Sequence, residues 1–238
     1  MLRKGGMPLY QSVLRLKDGT ELTGGSPGSA VKSLTLHAAV NAGQEFTIAS
    51  AFSDYIEAEI WADPDGSLQI TAGDALTYYR QDDAGNRTKV GVFYAEKPTR
   101  TKRNSYKVTA YDTMSKLDAD FSGWLHANQA QFPKTIWQLV QLACQRAGVA
   151  LASSSLPING NYSVQAFYAD DLTCRQIISW AAEAAGCYAH MNADGKLQFL
   201  TYTDKRSTAK ITPDGASNST AYYAVSYTHL TLPTIYSV

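Results

Sequence analysis

The apolar positions of this chain keep two rhythms, and the change between them divides it. From Tyr10 to Ala110 short runs alternate apolar and polar residues, the period-two order of half-buried strands. "YQSVLRLKDGTEL" reads as alternation, an Asp-Gly turn and alternation again, which predicts a hairpin. In "YIEAEIW" Tyr55, Glu57 and Glu59 oppose Ile56, Ala58 and Ile60, so one face of the strand is expected inside and the other wet. Asp63-Pro64-Asp65-Gly66 makes a turn, because proline presets φ and glycine accepts a positive value. "LTYYRQDDAGNRTKVGVFYAE" repeats the scheme with Asp82 to Asn86 at its tip. Strands at this spacing predict an N-terminal antiparallel β-barrel or sandwich.

The last β signals flank a loop dense in cations, "GVFYAEKPTRTKRNSYKVTAYDTMSKLD". Val92 and Tyr94 alternate with Phe93 and Ala95, and Tyr106, Val108 and Ala110 alternate with Lys107, Thr109 and Tyr111. Lys97 to Ser105 is expected between them as a hairpin loop. After Asp112 the alternation stops, and "TMSKLDADFSGWL" begins a helical or irregular crossing.

Beyond it the period becomes helical. In "TIWQLVQLACQRAG" Thr135 and Gln138 form a capping box, and Ile136, Leu139, Val140, Ala143 and Ala147 fall on one face. Gly148 supplies the left-handed stop. "TCRQIISWAAEAAG" follows the same rules with Thr173, Gln176, Ile177, Ile178, Ala181, Ala184 and Ala185, closed by Gly186. Helices are therefore expected near 135–147 and 173–185, each before a short apolar run, "VALA" and "CYAHM". A duplicated unit and two helices built independently to the same rules both fit. Asp194-Gly195 then turns the chain into "KLQFLTY". The fold class is α+β, with a β domain over 1–118 and an α+β domain over 119–204.

Composition narrows the function. Twenty-one Lys and Arg balance twenty-one Asp and Glu, so the chain lacks the long-range attraction of a basic protein to nucleic acid or anionic lipid. No apolar run approaches the roughly 18 residues of a membrane span, and neither membrane insertion nor sequence-specific nucleic-acid binding is expected. Fifteen tyrosines suit either a surface that assembles or a Tyr-rich β core. "MLRKGGMPLY" is too short and too poorly apolar for a signal peptide, and Met1 and Met7 both stand as starts.

Candidate chemistry is sparse. His37, His126, His190 and His229 are scattered, and no zincin, nucleophile-elbow, P-loop or dinucleotide motif occurs. Asp63-x-Asp65 opens like a calcium loop, but Leu68 and Asp74 stand where that loop needs Gly and Glu. Cys144, Cys174 and Cys187 lack the spacing of a zinc site and are expected as buried thiols, with Cys174 beside Arg175 at a helix start. No catalytic, cofactor-binding or metal-binding residue is assigned. Lys97, Arg100, Lys102, Arg103 and Lys107 admit two readings: a solvated hairpin tip, or an assembly contact to an acidic partner.

The final segment stands apart. Val225 to Thr234, "VSYTHLTLPT", resembles one translated frame of a transposase-type sequencing-library adapter. The expectation is a fragment ending near Ala224 with a non-native tail over 225–238.

Four stretches together carry a family resemblance: "EFTIASAFSDYIEAEIW", "GVFYAEKPTR…YKVTAYDTMSKLD", "TIWQLVQLACQRAGVAL" and "TCRQIISWAAEAAGCYAHMNADGKLQFL". From about Leu9 to Thr203 the chain is similar to phage and prophage tail hub proteins, the baseplate-hub or tail-tip family related in fold to contractile-injection spike hubs. The resemblance implies tube-type β-barrels in a homotrimeric ring that closes the tail tube, decorated by an α+β insertion. Neighbours would be distal-tail or tube proteins and the tape measure. The place would be the virion tail tip, after synthesis in the bacterial cytoplasm. A second tube barrel would begin near Lys205, with 205–224 only its opening. Two rivals are a cell-wall hydrolase whose catalytic domain lies elsewhere and a carbohydrate- or receptor-binding β module.

Overall fold

The computed structural model describes residues 10–24, 30–38, 49–61 and 70–201. The Asp63–Gly66 turn, the segment 205–224 and the tail over 225–238 lie outside them. Eight strands come first: β1 (Gln11–Arg15), β2 (Glu21–Thr23), β3 (Val31–His37), β4 (Tyr55–Trp61), β5 (Ala75–Gln81), β6 (Arg87–Ala95), β7 (Thr99–Lys102) and β8 (Ser105–Asp112). They form one sheet of order β2-β1-β5-β6-β8-β4-β3, with β7 also beside β8 and every pairing antiparallel. Alternation decides the faces as expected. Ile56, Ala58 and Ile60 are buried and pack with Leu14, Leu76, Phe93 and Val108.

The sheet curls until its edges touch once. Gly24, just past β2, bridges Val31 at the start of β3. A Cβ on Gly24 would stand 3.0 Å from the Val31 carbonyl oxygen, so the approach uses the missing side chain. No ladder joins the two edges among the described residues, because β2 pairs for only three residues and only with β1. The expected barrel is thus a curled sheet left unclosed, and a single sheet rather than a stacked pair.

The basic stretch also departs from expectation. Thr99–Lys102 is strand β7, paired to Lys107, Tyr106 and Ser105, so the turn shrinks to Arg103 and Asn104. Every residue of β7 is exposed, so no apolar face marks the strand in the sequence. Pro98 separates it from β6 while both line the same edge of β8.

A 3-10 turn (Thr113–Asp118) leads into α1 (Ser122–Ala127), β9 (Lys134–Thr135), α2 (Ile136–Ala147), β10 (Ser163–Val164), α3 (Cys174–Ala184), β11 (Cys187–Met191) and β12 (Leu197–Thr201). Both capping boxes form: the Thr135 and Thr173 amides donate to Gln138 and Gln176 at 2.8 Å, and the glutamine amides return to the threonine hydroxyls. Gly148 takes the left-handed conformation at φ 65°. The two helical units differ afterwards. "CYAHM" is β11, hydrogen-bonded along its length to β12, whereas "VALA" makes only a bridge from Leu151 to Leu197.

Met114, Leu117, Phe121, Leu125, Val140, Ile178 and Leu197 form the second core, and Ala49 and Ala51 join it from the segment that leads into β4. Where the two cores meet, the chain is bound by charge. Asp112 is buried, and its Oδ1 accepts from the Ser53 hydroxyl at 2.6 Å and the Met114 amide at 3.0 Å. Its Oδ2 is buried without a partner, and burial pushes the carboxyl up to about 6. Arg175 on α3 grips Asp118 with two nitrogens, at 2.6 and 2.8 Å, and donates to the carbonyls of Ala51 and Met114 at 3.1 Å. On the far side Lys89 of β6 meets Asp194 at 2.7 Å. Gly195 there has φ 71°, and a Cβ would fall 2.7 Å from the Thr113 hydroxyl. Only glycine fits.

A carboxyl whose folded pKa exceeds its ordinary 3.8 stabilises the fold while protonated. That contribution is complete below the ordinary value and is lost as pH rises through about 6. Asp112→Asn keeps an acceptor for Ser53 and Met114 but cannot ionise. In urea titrations the parent's stability relative to this variant should fall by about 3 kcal/mol between about pH 4 and pH 7. A constant difference would remove the buried-charge account. Arg175→Lys, which cannot hold a carboxylate and two carbonyls together, should lower stability by about 2 kcal/mol, seen as a lower urea midpoint at unchanged slope. An unmoved midpoint would show that water serves those acceptors equally well.

Candidate functional site

The wet face of β3, β4 and β8 carries most of the polar groups that the sequence singles out. Register sets Thr35 beside Glu57 and Thr109, and Ser33 beside Glu59 and Lys107. Thr101 and Lys102 of β7 complete a groove of about 360 Å³ along these rows. Toward the second core the row becomes aromatic: His37 stacks on Tyr55 at 4.3 Å, and Tyr55 meets Tyr111 at 5.4 Å. Beside Tyr111 in register is Tyr94, under the Lys116 ammonium at 3.7 Å.

The five cations read as a solvated hairpin tip or an assembly contact divide by what they touch. Lys107 lies 2.8 Å from Glu57, and that hydrogen bond lowers the Glu57 carboxyl pKa and raises the lysine's. Arg100 turns inward to the Lys102 and Arg103 carbonyls and lies over Tyr106 at 5.9 Å, so it closes its own hairpin. Lys97, Lys102 and Arg103 are exposed and have no ion-pair partner among the described residues. Glu59 is held below its ordinary pKa by the Ser105 hydroxyl at 2.6 Å and by Lys32 at 3.3 Å. Trp61 ends the same strand, 49% exposed, with the Lys32 ammonium 4.3 Å from its ring.

A second surface lies on the helical side and was not legible as a site. Phe121, Trp124, Phe132, Phe167 and Trp180 touch in succession at ring distances of 5.1, 6.3, 5.8 and 6.3 Å. Phe167 and Trp180, with Ile136, Leu139, Val164 and Ile177, line a pocket of about 200 Å³ between α2 and α3. Trp180 is 47% exposed, and Tyr168, whose ring lies 5.8 Å from His126, 77%. Asp170 of the same loop lies 3.5 Å from His126, and Lys134, in register with Val164, holds its ammonium 5.9 Å from the Trp124 ring. Phe132 and Phe167 sit outside helices and strands, where no periodicity announces them. The one signal was Trp180, an indole off the buried face of α3.

Reactive groups do not converge. The three thiols are buried, and burial drives Cys144 up to about 12, Cys187 to about 11 and Cys174 upward as well. His37, His126 and His190 belong to β3, α1 and β11. Among the described residues no three His, Cys, Asp or Glu side chains gather as metal ligands would. What the geometry offers is surface: a mixed-charge sheet face, a basic hairpin and an aromatic pocket.

No protein-family model matches the chain, and no curated protein does. Solved structures do. The crystal structure of the 43 kDa tail protein of prophage MuSo2 from Shewanella oneidensis superimposes with a TM-score of 0.54 at 12% identity, over 82% of this chain and 56% of that one. A tail protein from Neisseria meningitidis MC58 gives 0.48 at 14% identity, over 80% of this chain and 50% of that one. The chain thus spans about half the length of these structures, and it shares its fold with the Shewanella prophage tail protein.

Proposed function

We propose that this chain is a structural component of a phage or prophage tail, and specifically of the baseplate hub at the tail tip. The observation that carries the reading is the shared fold with a prophage tail protein along most of the described chain. The order of a curled antiparallel sheet followed by an α+β portion agrees with the resemblance of its segments to tail hubs. In this role the chain forms a homotrimeric ring that closes the tail tube and meets the distal-tail and tape-measure proteins. It performs no catalysis. The thiols are held protonated by burial, and Lys107 is engaged with Glu57 in a strand-to-strand pair.

Two measurements test this. Light scattering on the purified full-length gene product should give three times the mass of one chain. Immunogold against this chain, on particles released from the source culture, should mark one end of each tail. Label spread along the tube, or tails without label, would overturn the hub assignment.

A further inference from the structure

We propose that residues 49–54 form a pH-operated strap. It fastens the sheet to the helical portion while Asp112 is protonated, and lifts with both cores intact once Asp112 ionises.

The strap consists of fastenings and has no helix or strand of its own. Its first three carbonyls are taken one by one from the helical side. The Ser179 hydroxyl donates to Ala49 at 2.7 Å, the Ala189 amide to Ser50 at 2.9 Å and Arg175 to Ala51 at 3.1 Å. Its last two residues go to the end of β8. There the Ser53 hydroxyl donates to the Asp112 carboxyl at 2.6 Å, and the Asp54 carbonyl accepts from the Asp112 amide at 2.8 Å. The segment thus ties β8 to α3 and β11 across the line between the cores.

Such a segment can lift at small cost. Lifting uncovers three small buried residues, Ala49, Ser50 and Ala51. It also frees Ala49 from φ 75°, a left-handed conformation that disfavours any residue with a Cβ. A cavity of about 300 Å³ already runs beside the strap, lined by Ala49 to Phe52 with Arg175, Gln176 and Ser179, so water has room at its edge.

Of the groups that hold the strap, Asp112 alone changes charge near neutral pH. Its buried Oδ2 has no donor, so the ionised form lacks the bonds that water would give it. The nearby cations are committed elsewhere: Arg175 to Asp118 and two carbonyls, Lys116 over the Tyr94 ring. Across β6 the register partner is Phe93. Burial, with repulsion from the Asp54 carboxylate, raises the carboxyl from 3.8 to about 6. Lifting the strap admits water to Oδ2 and returns the group to its ordinary value. The lifted fraction therefore grows as pH rises from about 4 through about 6 and levels off above, about a hundredfold in all.

Hydrogen exchange of the full chain, with labelling times scaled for the intrinsic rate at each pH, tests the strap. The reporting amides are those of Asp112, Met114 and Ala189, whose acceptors belong to the strap or to Asp112. Between about pH 4 and pH 7 their protection should fall about fiftyfold. At pH 7 they should exchange faster than the β5–β6 ladder and without response to sub-denaturing urea, because a local opening exposes little surface. Asp112→Asn should remove the pH response, and Ser53→Ala, which cuts one fastening, should speed exchange about fivefold at both pH values. Equal protection at the two pH values would overturn the strap, as would a pH response that survives Asp112→Asn or an inert Ser53→Ala. So would exchange that matches the β5–β6 ladder in rate and urea slope, since the joint would then open only with the whole chain.

Discussion

The structure turns on how two hydrophobic cores meet without a linker between them. β8 ends at Asp112, and the next six residues are already a 3-10 turn whose Met114 and Leu117 belong to the second core. A chain that changes core within two residues must satisfy its backbone in the dry space between. Asp112 caps the turn, Arg175 returns from α3 to take the carbonyls of Ala51 and Met114, and Asp118 holds that guanidinium in plane. The Asp112 carboxyl is the weak member. Its second oxygen faces no donor, so the joint is tightest when that group is neutral.

The elements that were legible are those whose signal is local. Ile56, Ala58 and Ile60 alternate because β4 has one wet face, and Thr135 with Gln138 marks α2 because a capping box needs only four residues. The hairpin of β1 and β2 follows from Asp18-Gly19 for the same reason. What escaped depends on partners distant in sequence. β7 is wet on both faces and exists because β8 offers it an edge. Among the described residues no ladder joins β2 to β3, and the brevity of β2 is something alternation does not report. The aromatic pocket joins Phe167 of a loop to Trp180 of α3 and Ile136 of α2, three places with no common period.

The basic stretch shows the same limit in charge. Composition located five cations without acids between them, and that much was sound. Their division was tertiary: Glu57 reaches Lys107 only because β4 lies beside β8, and Arg100 turns inward only because β7 places the Lys102 and Arg103 carbonyls beneath it. Of the three cations left over, Lys102 and Arg103 lie in the hairpin beside Ser105, the register partner of Trp61. Surface chemistry in a neutral protein is a question of segregation, which net charge hides.

Joint and surfaces depend on each other. The Trp61 corner belongs to the curled sheet and the aromatic pocket to the helical portion, so the angle between them is set where Asp112 caps the 3-10 turn, Lys89 meets Asp194 and Gly195 lies against Thr113. The last two contacts join groups distant in sequence, Lys89 with Asp194 and Thr113 with Gly195, so the joint is fixed by the tertiary fold and not by local sequence alone. The Asp112 carboxyl, buried where β8 passes into the 3-10 turn, acts on stability and orientation together at the place where the chain changes core.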